Sequence, residues 1–232
     1  MLADGVSCPG LEVWGPKPAS GLLCSTGCRF PTRVAAFAGE RAELPAQGTH
    51  YGFVQSGNAQ LATKHGTFPL TSGMYFSVAG QSTIEGGNGV LLTRIGYRGL
   101  FTLGGPIEST GRLRYIDGCS DTLVIGPAVL GDPCLNLLHI PPNTNQSMHT
   151  HPSMRAGIIA SGVGRCVTEN GSVDLAPGMI FLIRPGTPHC FRTEGRSLQV
   201  IAYHPETDFG PTHQNHPMIN RTFLSDALSQ VQ

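Results

Sequence analysis

The segment GFVQSGNAQL, residues 52–61, recurs with its glycines in register as GIIASGVGRC at 157–166, an offset of 105 residues. The same offset, with no gap, superposes LTSGMYFSVAG (70–80) on LAPGMIFLIRP (175–185). Gly52 thereby matches Gly157, Ser56-Gly57 matches Ser161-Gly162, and Gly73-Met74 matches Gly178-Met179. Two segments that share one offset and one apolar pattern are explained economically by a duplicated unit, so the chain is expected to fold as two similar domains in tandem. The division is placed near residue 117, giving a first domain over 1–116 and a second over 117–232.

Each unit reads as short strands. YGFVQSG and MYFSVAG in the first, and AGIIASG, MIFLIRPG and SLQVIAYH in the second, are apolar runs bounded by Gly, Pro or Asn. The 31 Gly and 18 Pro, with only 13% charged residues, describe many tight turns and few exposed helices, which points to an all-β protein. Helical periodicity is confined to the tail, where NRTFLSDALSQVQ reads as one short helix capped by Thr222 or Ser225.

Fifteen basic residues balance fifteen acidic ones, and the only lysines are Lys17 and Lys64. No electrostatic footprint for nucleic acid or an anionic membrane results, so the partner expected is a small molecule. The seven cysteines are odd in number and irregularly spaced, which reads as reduced thiols rather than a disulfide framework. Cys24 and Cys28 have the spacing of half a zinc site, but no second pair follows them. The first residues carry neither a basic nor an apolar leader region, and no run approaches a bilayer span, so a soluble cytoplasmic protein is expected.

The chemistry gathers in SMHTHPSMRAG, residues 147–157. Alternation in a strand sends residues i and i+2 to one face, so His149 and His151 are expected to project together into a barrel interior. In GMIFLIRPGTPHCF a buried strand from Gly178 leads through a Pro185-Gly186 turn to His189, which that turn would bring back beside the pair.

Together, HTHPSMRAGIIASGVG and LAPGMIFLIRPGTPH resemble the two motifs of the cupin superfamily, an H-x-H segment ending in glycine and a G-x5-P-x-G-x2-H segment. The resemblance covers most of 134–204 directly, and the internal repeat extends it to the whole chain as a bicupin. It implies two tandem double-stranded β-helix, or jelly-roll, barrels, and a divalent metal held by histidines and a glutamate.

Three departures from the family pattern follow. Arg155 and Ala156 occupy the stretch where the glutamate is usual, and Arg184 stands where the first proline of the second motif is usual. In the first repeat His149, His151 and His189 fall on Leu44, Ala46 and Ile84, so only the second barrel should carry a metal. A three-histidine set leaves a net charge of about +2 on a bound divalent ion, with positions open for substrate and dioxygen. Arg155 would then hold a substrate carboxylate; its competing readings are exposure to solvent or an ion pair with a carboxylate such as Glu194. Gln146 and His204 are candidates for contacts behind the metal ligands, His139 for either face of its strand, and His213 and His216 for loop residues. Cys166 and Cys190 read as small barrel-filling side chains.

Similar cupin dioxygenases use three-histidine iron centres. The resemblance thus implies one divalent transition metal in the second barrel, with Fe(II) favoured over Mn, Ni, Cu or Zn. The activity it implies is a non-haem iron dioxygenase or related oxidoreductase acting on a small anionic organic substrate, within a homodimer. The alternatives are a redox-neutral metal-dependent isomerase, lyase or decarboxylase, for which the sequence offers no obvious base, and a non-catalytic small-molecule-binding cupin.

Overall fold

The computed structural model describes residues 5–27 and 29–219. Among them every regular element is a strand, apart from one 3-10 turn at Ile116–Gly118. The expected tail helix and Cys28 lie outside the described residues. All strand pairs are antiparallel.

The first half is built on one sheet whose path runs Thr102–Gly104, Tyr75–Ala79, Thr49–Thr63, Ser82–Arg94, Thr32–Ala38, Gly21–Thr26. Two short strands complete it: Ala42–Leu44 on Ser82–Arg94, and Gly66–Thr71 on Thr49–Thr63. The second half divides between an eight-stranded sheet and the three-stranded sheet Gly171–Leu175, Gly164–Thr168, His189–Arg192. In the larger sheet Ile180–Ile183, Arg155–Gly162, Leu198–His204, Cys134–Ile140 and Ser120–Ile125 lie side by side. This all-β arrangement in two halves fits the tandem jelly-roll barrels that the resemblance implies.

The 105-residue offset holds at the level of single hydrogen bonds. The Gly73 amide donates to the Val54 carbonyl (2.8 Å), and the Gly178 amide to that of Ile159 (2.8 Å). Val54 donates to Met74 and Ile159 to Met179, both at 2.9 Å. Gly73 and Gly178 share a left-handed φ, +86° and +84°, which a β-carbon would strain. Gly52 and Gly157 are required for space: a β-carbon would collide with the Phe76 ring at the first and with the Ile201 carbonyl at the second.

One feature of the pairing crosses the expected boundary at 117. Gly5–Cys8 and Leu11–Trp14 form a hairpin whose second strand pairs with Ile180–Ile183, so the chain's first strands lie in the second barrel. Burial explains it, because Leu11 and Val13 pack among Ile159, Phe181 and Ile183. Arg184, the residue in the proline's usual place, pins the hairpin by an ion pair with Glu12 and by donating its amide to the Gly10 carbonyl (2.8 Å).

The apolar residues form three cores. One lies between the halves and joins Val34, Phe53 and Leu92 to Leu137, Ile158 and Leu182. The other two fill the barrels. Leu44 and Ile84, which replace two of the histidines in the repeat, are both buried within the first barrel's core. Ala46 is exposed. At two of the three positions, buried hydrocarbon in the first barrel takes the place of an imidazole in the second.

Candidate metal centre

Pro152 follows the two histidines, and the strand begins only at Arg155. His149 and His151 therefore sit on an extended approach to a strand rather than within one, as alternation had predicted. Their register is set by a two-residue bridge. The His149 amide donates to the His189 carbonyl (3.0 Å), and the His189 amide donates back to His149 (2.9 Å). The Pro185-Gly186 turn does return His189 to the pair, and the Gly186 amide donates to the His151 carbonyl (2.8 Å).

Two of the rings are oriented alike. His149 Nδ1 lies 2.8 Å from the Ser147 carbonyl oxygen, and His189 Nδ1 lies 2.9 Å from that of Thr187. A carbonyl only accepts, so Nδ1 carries the hydrogen in both rings and Nε2 keeps its lone pair. Backbone carbonyls commonly orient metal-ligating imidazoles in this manner. Ring centroids are separated by 4.6 Å (His149–His189), 5.0 Å (His149–His151) and 5.2 Å (His151–His189). One ligand nitrogen from each ring lies within 4.8 Å of the other two.

Burial lowers the His151 pKa to about 3, with Arg155 and the neighbouring histidines adding to the shift. Burial also takes His189 down to about 4, against the opposing hydrogen bond to Thr187. Both rings are neutral at pH 7, so no proton competes for their lone pairs. The donor set suits a borderline divalent transition ion.

The rings open into a cavity of about 370 Å³ whose walls include Phe181, Phe191 and Val200. Arg155 lines it and is only 9% exposed. Its Nη1 donates to the Ser153 carbonyl (3.2 Å), Ser153 Oγ (2.8 Å) and the Met154 carbonyl (3.0 Å), while Nε is buried without a partner. Among the described residues no carboxylate lies within ion-pair distance of the guanidinium. Neither competing reading of Arg155 holds: it does not face solvent, and Glu194 does not pair with it.

His204 also lines the cavity, its ring centroid 6.2 Å from that of His151, but it is outside the converging set. Burial, Arg155 and His151 together hold its pKa well below the ordinary imidazole value. Its strand pairs with Cys134–Ile140 and Arg155–Gly162 rather than with the strand of His189. His204 thus reaches the cavity from the opposite sheet. Gln146 is buried away from the rings. Its Oε1 accepts from the Phe191 amide (3.1 Å) and its Nε2 lies 3.7 Å from Cys119 Sγ, so it braces the strand that His189 opens. His139 is not among the cavity-lining residues. His213 and His216 are exposed in the tail. Cys166 and Cys190 are buried fillers, as expected.

Two contributions were not legible in the sequence. Asp117 accepts from the Ser147 amide (2.7 Å) and Ser147 Oγ (3.2 Å), fixing the residue whose carbonyl orients His149. Asp121, on the strand Ser120–Ile125, lines the cavity and accepts from Asn136 Nδ2 at 3.1 and 3.2 Å. Burial raises the Asp121 pKa, and the Asn136 hydrogen bonds oppose the rise. The only sequence signal was that both aspartates lie in the linking segment, which carries no motif.

Residues 136–204 match the cupin domain family. No curated protein matches the chain in sequence. Similar solved structures include AerE from Microcystis aeruginosa (15% identity, TM-score 0.59, covering 87% of this chain and 96% of that one). A cupin 2 conserved barrel domain protein from Leptotrichia buccalis is 12% identical (TM-score 0.57, 80% and 87% covered). A salicylate 1,2-dioxygenase from Pseudaminobacter salicylatoxidans is 10% identical (TM-score 0.56, 74% and 70% covered). At these identities the likeness is one of fold.

Proposed function

We propose that this chain, whose residues 136–204 match the cupin domain family, is a metal-dependent cupin enzyme acting on a small anionic organic substrate, most simply as a non-haem iron dioxygenase. One observation carries the reading. Three convergent imidazoles and a buried guanidinium without a carboxylate partner line the same apolar cavity. A buried unpaired charge is costly, and a substrate carboxylate would relieve that cost by charge-assisted hydrogen bonds.

In this reading His149, His151 and His189 hold the ion, and Fe(II) is the favoured occupant. A bound iron(II) would supply open coordination positions and the one-electron chemistry that dioxygen requires. Arg155 binds and orients the substrate anion. The Phe181 and Phe191 wall excludes water and accepts the apolar part of the substrate. Asp117 and Ser147 keep the His149 ring in place.

A redox-neutral metal-dependent reaction is the second reading, and Asp121 favours it by putting a carboxylate in the cavity where the sequence offered none. Oxygen consumption with a substrate marks the first reading, and undiminished anaerobic turnover marks the second. The proposal extends to a homodimer; Leu113, Val129 and Leu130 are large apolar side chains left exposed in the single chain. Among the described residues no helix is long and apolar enough to cross a membrane.

A further inference from the structure

Asp121 and Leu123, two positions apart on one strand, line the cavity together with Asn136 and Leu138 on the next. Asp121 is the only carboxylate among the lining residues, which also include Arg114, Tyr115 and Arg155. No basic side chain among the described residues lies within ion-pair distance of it. Its contacts come from Asn136 Nδ2 alone, one to each oxygen. The Asn136 amide is itself fixed, because the Cys134 thiol donates to its Oδ1 (3.1 Å). This relay keeps the NH2 group turned toward Asp121. A carboxylate has about four acceptor sites, so two contacts leave lone pairs free.

A purely structural aspartate in a barrel interior would be expected to meet a cation or several backbone amides. Asp121 instead holds unspent acceptor capacity on a wall of the cavity that Arg155 and the three histidines also line. We propose that Asp121 is a catalytic residue that moves a proton on the bound substrate. The proposal rests on the substrate-cavity reading above and deepens it.

The step balances without an oxidant. For a carbonyl substrate with an acidic α-hydrogen, the C–H bond breaks, the proton passes to an Asp121 carboxylate oxygen, and the electron pair remains on the substrate as an enolate. The Asp121 carboxyl group then gives that proton to the enolate oxygen, or first exchanges it with solvent and returns a solvent-derived hydrogen to carbon. The carboxylate ends as it began, and the substrate is tautomerised or has exchanged its hydrogen. Burial raises the Asp121 pKa and so strengthens the carboxylate as a base.

The test uses the full chain, loaded with iron(II) or manganese(II) under anaerobic conditions, and phenylpyruvate as the probe. This compound combines a carboxylate for Arg155, an aryl group for the apolar wall and acidic hydrogens beside a carbonyl. Exchange of its C3 hydrogens in D2O is followed by proton NMR, and binding is measured separately by calorimetry. Wild type should accelerate exchange, and Asp121→Asn should lose about 100-fold or more of that acceleration with metal content and probe affinity unchanged. Asp121→Glu, which keeps a carboxylate, should retain part of it. Tight probe binding with no exchange by wild type, or equal exchange by wild type and Asp121→Asn, overturns the role of Asp121 while leaving the substrate cavity standing. A protein that takes up neither metal nor probe overturns the reading beneath it, and the proposal with it.

Discussion

Arg155 is the residue at which the chemistry of this cavity departs most from a simple metal site. Its Nη1 is committed to three oxygens of Ser153 and Met154, so the group is held in place, yet no counter-charge is bound to it. A hydrogen bond to a charged group contributes about 1.5–3 kcal/mol, which is roughly a 10- to 150-fold change in affinity. Arg155→Met should therefore weaken binding of phenylpyruvate by about that factor while leaving binding of the uncharged phenylacetone unchanged. Calorimetry with the two probes checks it, and equal losses for both would make Arg155 a packing residue. Asp117 makes a second prediction at this scale. Asp117→Ala releases Ser147, which holds the His149 ring, and loss of such supporting contacts typically lowers metal affinity by about 10–100-fold. A competition titration against a chelator measures it.

Among the elements, the N-terminal hairpin ties sequence to fold most directly. Leu11–Trp14 covers the edge of Ile180–Ile183, the strand that leads into the Pro185-Gly186 turn and on to His189. Leu11→Ala should cost about 2–5 kcal/mol in a denaturant titration, and a chain begun at residue 117 should aggregate, because the uncovered strand is an open apolar edge. A soluble, cooperatively folding 117–232 fragment would contradict this. The strand pattern and the 105-residue offset were readable because Gly52, packed against the Phe76 ring, and Gly157, packed against the Ile201 carbonyl, leave no room for a side chain. The three histidines were readable because the turn between Arg184 and His189 is short enough to fix where the chain returns. Segment 1–32 was not, since the apolar run LEVW does not say which edge it will cover. Asp121 was hidden for a related reason: its cavity-facing side depends on the register of Ser120–Ile125 against Cys134–Ile140, which shifts between Leu123 and Ile125.

At the scale of the whole molecule the two barrels divide the work. The first has a hydrocarbon core and a buried His50, whose Nε2 donates to the Pro45 carbonyl (2.9 Å) while Nδ1 pairs with Thr93 Oγ1 (2.8 Å). Burial lowers the His50 pKa, so the folded protein resists a proton that the unfolded chain accepts near pH 6.5. Stability is therefore full above that value and falls as pH drops below it, toward the lowered folded pKa. His50→Gln should make the melting temperature less dependent on pH between 7 and 5; parallel curves for variant and wild type would contradict it. In the second barrel Arg155, Asp121 and three imidazoles surround one cavity. The account stands or falls on those imidazoles. Its most direct test is the metal content, by elemental analysis, of untagged protein purified without added metal, beside that of His149→Ala. The account predicts close to one equivalent of a transition metal, iron foremost, in the wild type and its loss in the variant. A wild type without metal even after anaerobic reconstitution would contradict it.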